Sequence, residues 1–185
     1  MLFKHFMEFN IDDHIRKIPN FPKEGILFYD ITTILENPEA FKYCIDTFAE
    51  HYKDKEIDVI VGVEARGFIF GAALAYALGK PLSIVRKPGK LPSKTVFEEY
   101  ELEYGTDKIE MHEDTIKQGQ KVLLVDDLLA TGGTIKATAN LIERIGGVVA
   151  GMCFVVELDF LKGREKLGKY DLLSLQHYDN EDVKE

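Results

Sequence analysis

Cysteine and positive charge are both scarce in this sequence, and each shortage excludes a class of protein. Only two of the 185 residues are cysteine, and both, Cys44 and Cys153, lie in otherwise apolar segments. This pattern predicts reduced core thiols and argues against a disulfide framework or a cysteine-based metal site. The formal net charge is −9 at pH 7. Nonspecific nucleic-acid binding depends on lysine and arginine, so this charge argues against it.

Long hydrophobic runs are also missing. The closest candidate, Gly67 to Gly79, is too short to span a bilayer. Residues Met1 to Phe9 include charged side chains such as Lys4 and Glu8, so they fit neither a secretory signal nor an arginine-rich transit peptide. We therefore expect a cytoplasmic protein. The composition, 45% hydrophobic and 30% charged, predicts one globular domain over residues 1–185, with an extension at residues 1–12 and an acidic tail at residues 179–185.

The most informative stretch is Val122 to Thr134, which reads VLLVDDLLATGGT. Its first four residues form an apolar run typical of a parallel strand that is covered on both faces. Asp126 and Asp127 follow at the predicted end of this strand, where ligands of open α/β sheets bind. Apolar residues then recur at helical spacing from Ile135 to Ile145, so the intervening loop leads into a helix N-terminus.

This loop has the composition of an anion site. Glycines let the backbone approach a ligand, free amides and the helix dipole favour negative charge, and threonine hydroxyls add donors. The residues concerned are Ala130, Thr131, Gly132, Gly133 and Thr134. Because the two aspartates are acceptors suited to a vicinal diol, the stretch predicts a site for a ribose 5-phosphate moiety. The alternative is an ordinary strand-to-helix turn with solvated acids. A Walker loop is excluded because no lysine is present here, and the G-x-G-x-x-G dinucleotide pattern is missing.

A polyanionic ligand requires local positive charge or a divalent cation in a chain that is acidic overall. Arg66 follows the predicted strand Asp58 to Val63 and would reach the same sheet edge as the aspartates if the strands are parallel. The strand Pro81 to Val85 leads into four cations within nine residues. They are Arg86, Lys87, Lys90 and Lys94. Such a cluster is usually a solvated loop, but its position at the sheet edge favours a diphosphate ligand.

Residues 95–111 alternate polar and apolar side chains around an acidic middle, which predicts a projecting hairpin or flap. Its carboxylates would repel a bound anion, so we expect a flexible loop that swings over the site when needed. One acid could act in catalysis. The local sequence does not distinguish Glu98, Glu99, Glu101 and Glu103, and a solvated acidic loop is the alternative.

Near the N-terminus, Ile11, Ile15 and Ile18 have the spacing of a short amphipathic helix, which Pro19 to Pro22 must stop. The apolar stretch Gly25 to Asp30 is either a small strand on the core or the wall of a pocket.

Further elements alternate along the chain. A helix is predicted over Pro38 to Tyr52 with Asn37 as its cap, and later strands over Gly147 to Val156 and Asp171 to Leu175. This order predicts an α/β fold, doubly wound, with a mainly parallel central sheet flanked by helices.

Five segments resemble, in the same order, the adenine phosphoribosyltransferases of the type I phosphoribosyltransferase family. They are FPKEGILFYDIT (Phe21 to Thr32), VGVEARGFIFG (Val61 to Gly71), VRKPGKLP (Val85 to Pro92), LEYGTD (Leu102 to Asp107) and VLLVDDLLATGGT. The resemblance covers about Ile15 to Tyr178. It implies the type I fold with a small N-terminal hood and a flexible flap. It also implies a homodimer that forms AMP and pyrophosphate from adenine and phosphoribosyl diphosphate (PRPP), a purine-salvage reaction assisted by Mg²⁺.

The resemblance also implies roles for individual residues on the PRPP side. It assigns the ribose hydroxyls to Asp126 and Asp127, and the 5-phosphate to the loop Ala130 to Thr134. Mg²⁺ would be held mainly through PRPP. The diphosphate is assigned to Arg66, Arg86, Lys87 and Lys90.

For the base, the resemblance implies that adenine lies against Leu27, Phe28 and Tyr29, where backbone groups can read the amino purine edge. Tyr29 stands where the family commonly has arginine, so only backbone recognition carries over at this position. Among the flap acids the resemblance selects Glu103, which would act on the imidazole nitrogens of the purine.

Two other functions compete with this one. A phosphoribosyltransferase for a 6-oxopurine, such as hypoxanthine or xanthine, would use the same PRPP site. A PRPP-sensing regulator would keep the site without catalysis, but it needs a DNA-binding module, for which residues 1–12 are too short and the net charge unsuitable.

Overall fold

The computed structural model describes residues 9–102 and 105–180. The chain divides into two compact units, whose described parts are residues 9–44 and 45–180. The single domain expected over residues 1–185 stays a prediction. Among the described residues, no helix combines the length and the hydrophobicity that crossing a bilayer requires.

The described part of the smaller unit contains a 3-10 helix, Ile11–His14, followed by strands β1 (Arg16–Pro19) and β2 (Leu27–Asp30), which pair antiparallel. The helix predicted through Ile18 is wrong beyond its first turn, because the backbone is already extended at Ile15 and Ile18 lies in β1. β-branched side chains and a following proline both favour extended backbone here.

The same unit continues with α1 (Thr32–Glu36) and the first residues of α2 (Pro38–Tyr52). The side-chain oxygen of Asn37 accepts hydrogen bonds of 3.0 Å from the amides of Glu39 and Ala40. The predicted cap, with proline at the first helical position, is therefore confirmed.

The larger unit contains the remaining strands and helices. In chain order they are β3 (Val59–Val63), α3 (Gly67–Leu78), β4 (Leu82–Val85), β5 (Thr95–Leu102), β6 (Gly105–His112), β7 (Lys121–Leu129), α4 (Gly133–Arg144), β8 (Val148–Leu158) and β9 (Leu172–Tyr178), with 3-10 helices at Asp159–Leu161 and Gly163–Leu167 between the last two strands.

Five of these strands form one parallel sheet in the order β4-β3-β7-β8-β9. Val59, Val61 and other β3 residues pack in a core cluster with Leu141 of α4. Gly62 faces α3 instead, since a Cβ on it would lie 3.1 Å from the carbonyl oxygen of Gly67. Successive strand residues point to opposite faces, so α3 and α4 cover the two faces of the sheet. The predicted doubly wound parallel sheet is confirmed.

Strand β7 is longer than its sequence suggests. The predicted end at Val125 is wrong, and Asp126 and Asp127 lie within the strand. Pairing with β8 continues past them, with Leu129 opposite Glu157. The strand is extended by a partner distant in the chain, which a local apolar pattern does not reveal.

The predicted hairpin is present: β5 and β6 pair antiparallel, with Tyr100 opposite Asp107. Arg144 of α4 donates a hydrogen bond of 2.5 Å to Glu98 and another to the carbonyl of Phe97, so β5 is tied to α4. Whether this hairpin moves over the site stays a prediction. Both cysteines are buried free thiols, as predicted.

Candidate active site

Asp126 and Asp127 are consecutive residues of β7, so their side chains point to opposite faces of the strand. Both carboxylates lie close to residues at the start of α3. Asp127 is 5% exposed, and its Oδ2 lies 2.7 Å from Nε of Arg66, the residue before α3. Oδ1 of half-buried Asp126 accepts a hydrogen bond of 2.9 Å from the amide of Asp127. A Cβ on Gly67 would lie 2.8 Å from this same oxygen. Only glycine therefore fits at position 67 without displacing the carboxylate.

Burial raises the pKa of both carboxyl groups. The negative charge of Asp127 raises the pKa of Asp126 further, to well above its ordinary value. The positive charge of Arg66 opposes the effect of burial on the pKa of Asp127.

The loop after β7 forms a small cradle that ends at the N-terminus of α4. Residues 128–135 and Asp126 line a cavity of about 100 Å³. Gly132 precedes α4 with φ of 76°, a left-handed conformation that glycine adopts without strain. The first turn of α4 contains no acidic residue. Its first amides have no partner within the helix, and the helix dipole adds positive potential, so the cradle suits an anion.

The cationic loop, residues 86–94 after β4, is organised by one carboxylate, that of Glu64, which directly follows β3. Nε of Arg86 lies 3.4 Å from Oε2 of Glu64, and Lys90 pairs with Oε1. The amide of Lys87 donates a hydrogen bond of 2.8 Å to the same side chain. Burial raises the pKa of Glu64, but these hydrogen bonds outweigh burial and leave the pKa below its usual value. Glu64 thus gathers cations whose charges would otherwise repel one another.

The side chain of Lys87 turns toward the hairpin. It forms an ion pair with Asp107 and donates a hydrogen bond of 3.3 Å to the hydroxyl of Tyr100. That hydroxyl donates to Asp107 at 2.9 Å and accepts from Thr134 at 3.1 Å. The hairpin, the cationic loop and the first turn of α4 therefore meet at one phenol oxygen.

Most of the predicted PRPP site comes together at the carboxyl edge of the sheet: the two aspartates, the cradle, Arg66 and the cationic loop. Three residues that the sequence did not indicate contact these groups, namely Glu64, Tyr100 and Asp107. A signal existed for Glu64, which directly follows β3 and precedes Arg66 by two residues. The other two face each other across the hairpin, so their role follows only once the register is known.

The predicted adenine-binding segment lies in the smaller unit. Leu27 and Tyr29 of β2 are buried, whereas Phe28 is partly exposed and packs edge-on against Phe21, with ring centroids 5.1 Å apart. The strand interpretation of this segment is confirmed, and its role as a pocket wall stays a prediction. Glu103, the predicted catalytic acid, lies outside the described residues.

A second acidic group, Glu157, Asp159 and His177, has ligand atoms within 4.8 Å of one another. Both oxygens of Glu157 accept hydrogen bonds from Arg164, at 2.8 and 2.5 Å. Because this guanidinium already neutralises the buried carboxylate, we interpret the group as an ion-pair network.

Comparisons with known proteins agree with this geometry. Residues 30–183 match the family model described as "Phosphoribosyl transferase domain". A curated relative from Clostridium tetani, named adenine phosphoribosyltransferase, is 61% identical over 92% of this chain and 99% of its own length. The crystal structure of adenine phosphoribosyltransferase from Thermoanaerobacter pseudethanolicus matches with a TM-score of 0.88 and 54% identity, covering 91% of this chain and 98% of that one.

The enzyme of the same name from Saccharomyces cerevisiae was solved in complex with an imino-altritol bisphosphate and adenine. It matches with a TM-score of 0.84 and 44% identity, covering 89% of this chain and 96% of that one. Matches of this extent and identity decide the family. The chain belongs to the phosphoribosyl transferase family and, within it, to the adenine phosphoribosyltransferases.

Proposed function

We propose that this protein transfers the 5-phosphoribosyl group of PRPP to adenine, giving AMP and pyrophosphate. The observation that carries the proposal is the continuous unit formed by Asp126, Asp127 and the cradle of residues 130–134, in a chain 61% identical to a relative named for this reaction. The cytoplasm remains the compartment expected from the sequence.

The ribose hydroxyls of PRPP are proposed to donate to Asp126 and Asp127, and the 5-phosphate to accept from the amides and hydroxyls of residues 130–134. This assignment uses each group for the chemistry it suits, since carboxylates accept from a diol and a helix N-terminus binds an anion. The negative charge of the aspartates near the sugar also favours an oxocarbenium-like transition state.

The diphosphate is proposed to bind Arg66 and the cationic loop. The side chains concerned are Arg66, Arg86, Lys87 and Lys90. Each of them forms an ion pair with a carboxylate: Arg66 with Asp127, Lys87 with Asp107, and both Arg86 and Lys90 with Glu64. A diphosphate would exchange with these partners, and the cations would neutralise its charge as it leaves.

The donor set is compatible with a Mg²⁺ ion that arrives with PRPP. Mg²⁺ is usually held by one or two carboxylates together with substrate phosphates. Asp126 and Asp127 supply two carboxylates. Arg66 already forms an ion pair with Asp127, and the amide of Asp127 already donates a hydrogen bond to Asp126, so part of their acceptor capacity is used. Bound Mg²⁺ would stabilise negative charge on the departing pyrophosphate, and the ribose hydroxyls and the diphosphate would provide most of its ligands.

In the reaction the bond from the anomeric carbon to the diphosphate oxygen breaks, and a bond to a ring nitrogen of adenine forms. The proton on that nitrogen is proposed to pass to Glu103. Backbone groups of Leu27, Phe28 and Tyr29 are proposed to read the base. Closure of the hairpin over the site would exclude water, which otherwise hydrolyses the activated sugar.

We also propose a homodimer. Helix α3 exposes Ile69 and Tyr76, which lie seven residues apart on one helical face, and Tyr76 is 91% exposed. Leu82 on the edge strand β4 is exposed as well, and it lies against α3 at Gly71. Exposed apolar side chains grouped at the edge of a sheet are typical of a protein interface.

The direct test is AMP formation from adenine and PRPP with Mg²⁺, compared with hypoxanthine, guanine and xanthine as acceptors. We expect turnover with adenine, little with the 6-oxopurines, and loss of turnover on removing Mg²⁺. An Asp126→Asn, Asp127→Asn double variant should lose activity, whereas Lys53→Ala, at the exposed residue that follows α2, should not. Absence of AMP formation by the wild-type protein would reject the proposal, and preference for a 6-oxopurine would reassign the base.

A further inference from the structure

Residues 159–168, between β8 and β9, lie against the cradle of residues 130–134. A Cβ on Gly132 would lie 2.8 Å from the carbonyl oxygen of Gly163 and 3.2 Å from its Cα. A Cβ on Gly163 would lie 3.1 Å from the amide nitrogen of Gly132 and closer still to the carbonyl oxygen of Ala130. The cradle and this segment therefore meet backbone to backbone, at a distance that leaves no room for a side chain.

The turn at Lys162, the residue before Gly163, fixes the position of Gly163. Lys162 has φ of 55°, a left-handed conformation uncommon for a residue with a side chain. Its amide donates to the carbonyl of Asp159 at 2.9 Å, and its carbonyl accepts from Glu165 at 3.1 Å. The chain therefore turns sharply at Lys162, and the turn directs Gly163 toward the cradle.

An ion pair of Arg164, the residue after Gly163, also fixes the position of Gly163. The guanidinium of Arg164 binds both oxygens of Glu157, which is 2% exposed and accepts a further hydrogen bond of 2.5 Å from Ser174. Burial raises the pKa of Glu157, but the hydrogen bonds from Arg164 and Ser174 outweigh it and keep the carboxylate ionised. Glu157 of β8 lies opposite Leu129, the last residue of β7. The Arg164–Glu157 ion pair is therefore next to the point where the chain leaves β7 and enters the cradle.

We propose that Gly163, fixed by the Arg164–Glu157 ion pair, is a positioning residue for the phosphate cradle. It supports the backbone of residues 130–132 from behind, so that their amides converge on one point, and it does not touch the ligand itself. This inference rests on the proposed function, because it takes the 5-phosphate of PRPP as the group bound in the cradle.

The test is Gly163→Ala, with Gly168→Ala as the matched control. The control adds the same methyl group to the same segment, where the nearest atom would be the carbonyl oxygen of Glu165 at 3.7 Å. We expect Gly163→Ala to raise the Kd for PRPP in calorimetry and the KM for PRPP by about 10- to 100-fold, since losing one hydrogen bond to a charged group lowers affinity by about that factor. The KM for adenine should change less than threefold, and Gly168→Ala should behave as the wild type.

A folded Gly163→Ala protein, with unchanged circular dichroism, that binds PRPP as the wild type does would overturn the inference. An equal rise in both KM values would do so too, because it would indicate general damage. If Gly163→Ala does not fold, PRPP binding by Arg164→Ala and Arg164→Lys tests the inference instead. Lysine keeps the charge but not the two-pronged contact, so weakened PRPP binding in Arg164→Ala with partial rescue in Arg164→Lys supports the inference. Unchanged binding in both overturns it.

The same measurements separate this inference from the proposed function. A wild-type protein that binds PRPP without forming AMP removes the proposed reaction, and the PRPP affinities of the variants still judge the role of Gly163. A wild-type protein that does not bind PRPP removes both.

Discussion

The hydroxyl oxygen of Tyr100 lies 3.1 Å from the hydroxyl oxygen of Thr134. Tyr100 belongs to the hairpin and Thr134 to the first turn of α4, so this contact joins the predicted flap to the predicted phosphate site. The same hydroxyl accepts a hydrogen bond from Lys87 and donates one to Asp107. An anion that enters the cradle must therefore meet a hydrogen-bond network that includes the flap.

The first prediction concerns this phenol. Tyr100→Phe keeps the ring against Gly133 but removes the acceptor of Thr134 and the donor to Asp107. Losing a hydrogen bond of this kind costs about 1 kcal/mol, so we expect the KM for PRPP to rise by about five- to tenfold. Steady-state kinetics at saturating adenine measures this change.

The matched control is Tyr170→Phe. It also deletes a phenol that donates to a carboxylate at 2.9 Å, on Glu143, but at the far end of α4. A Tyr100→Phe enzyme with the PRPP kinetics of Tyr170→Phe would contradict a role for the phenol.

The parts of the site that could be predicted from sequence are those encoded locally. The apolar run of β7, its two aspartates and the cradle are consecutive, so strand, carboxylates and helix start follow from one stretch. The contacts that could not be predicted are long-range ones. Lys87 meets Asp107 across 20 residues, and Lys90 meets Glu64 across 26.

The errors in the fold have the same origin. β7 runs past its predicted end because β8 continues to pair with it, and neither strand indicates this alone. Likewise Gly163 has no local signal of its role, since the constraint is the approach of Gly132 from another loop. Local propensity fixes where elements begin, while the packing of distant elements sets their length and the exact shape of the site.

A second prediction follows from the cations around the site. The side chains of Arg86, Lys87 and Lys90 are between 30% and 47% exposed, so salt screens them effectively. We expect the KM for PRPP to rise with ionic strength while the KM for adenine, a neutral base, changes little. Initial rates at several KCl concentrations measure both.

Arg86→Ala should weaken PRPP binding and reduce its dependence on salt, because fewer charges remain to be screened. Lys53→Ala, which removes an exposed cation just after α2, should leave that dependence unchanged. Equal salt dependence in all three proteins would show that the cationic loop does not bind the diphosphate.

A third prediction separates stability from activity. Tyr52 is 1% exposed, and its hydroxyl donates a hydrogen bond of 3.0 Å to the carbonyl of Met152 in β8. Tyr52→Phe leaves this buried carbonyl without its side-chain donor and should lower the free energy of unfolding by about 1–2 kcal/mol. Urea denaturation measures the loss, and Tyr170→Phe, which removes an exposed hydrogen bond to Glu143, is the control. Both variants should keep wild-type KM values.

A fourth prediction concerns the proposed dimer. Tyr76→Glu places a charge on the exposed face of α3, and a buried unpaired charge at an interface is strongly unfavourable. We expect light scattering after size exclusion to find a dimer for the wild type and a monomer for Tyr76→Glu. Val148→Glu, at an exposed apolar residue of β8 away from α3, should remain dimeric. A Tyr76→Glu dimer would place the interface elsewhere.

The last prediction uses the raised pKa of Asp126, which results from burial and from the charge of Asp127. In the unfolded chain this carboxyl has an ordinary pKa of about 3.9. Between the two pKa values the folded protein binds more protons, so this group's contribution to stability is complete below about pH 4 and is lost as the pH rises through the folded pKa. Asp126→Asn cannot ionise and avoids this loss.

We therefore expect Asp126→Asn to have nearly the wild-type Tm at pH 4 and a higher Tm at neutral pH. A gain of about 2–4 °C would correspond to about 1 kcal/mol for a chain of this length. The same variant should bind PRPP more weakly, because the ionised carboxylate is the form that accepts from the ribose hydroxyls. Asp54→Asn, at an exposed position of the same charge, should show neither effect. Scanning calorimetry across this pH range decides the matter: a Tm difference that does not grow with pH would mean that Asp126 is already ionised in the folded protein at low pH.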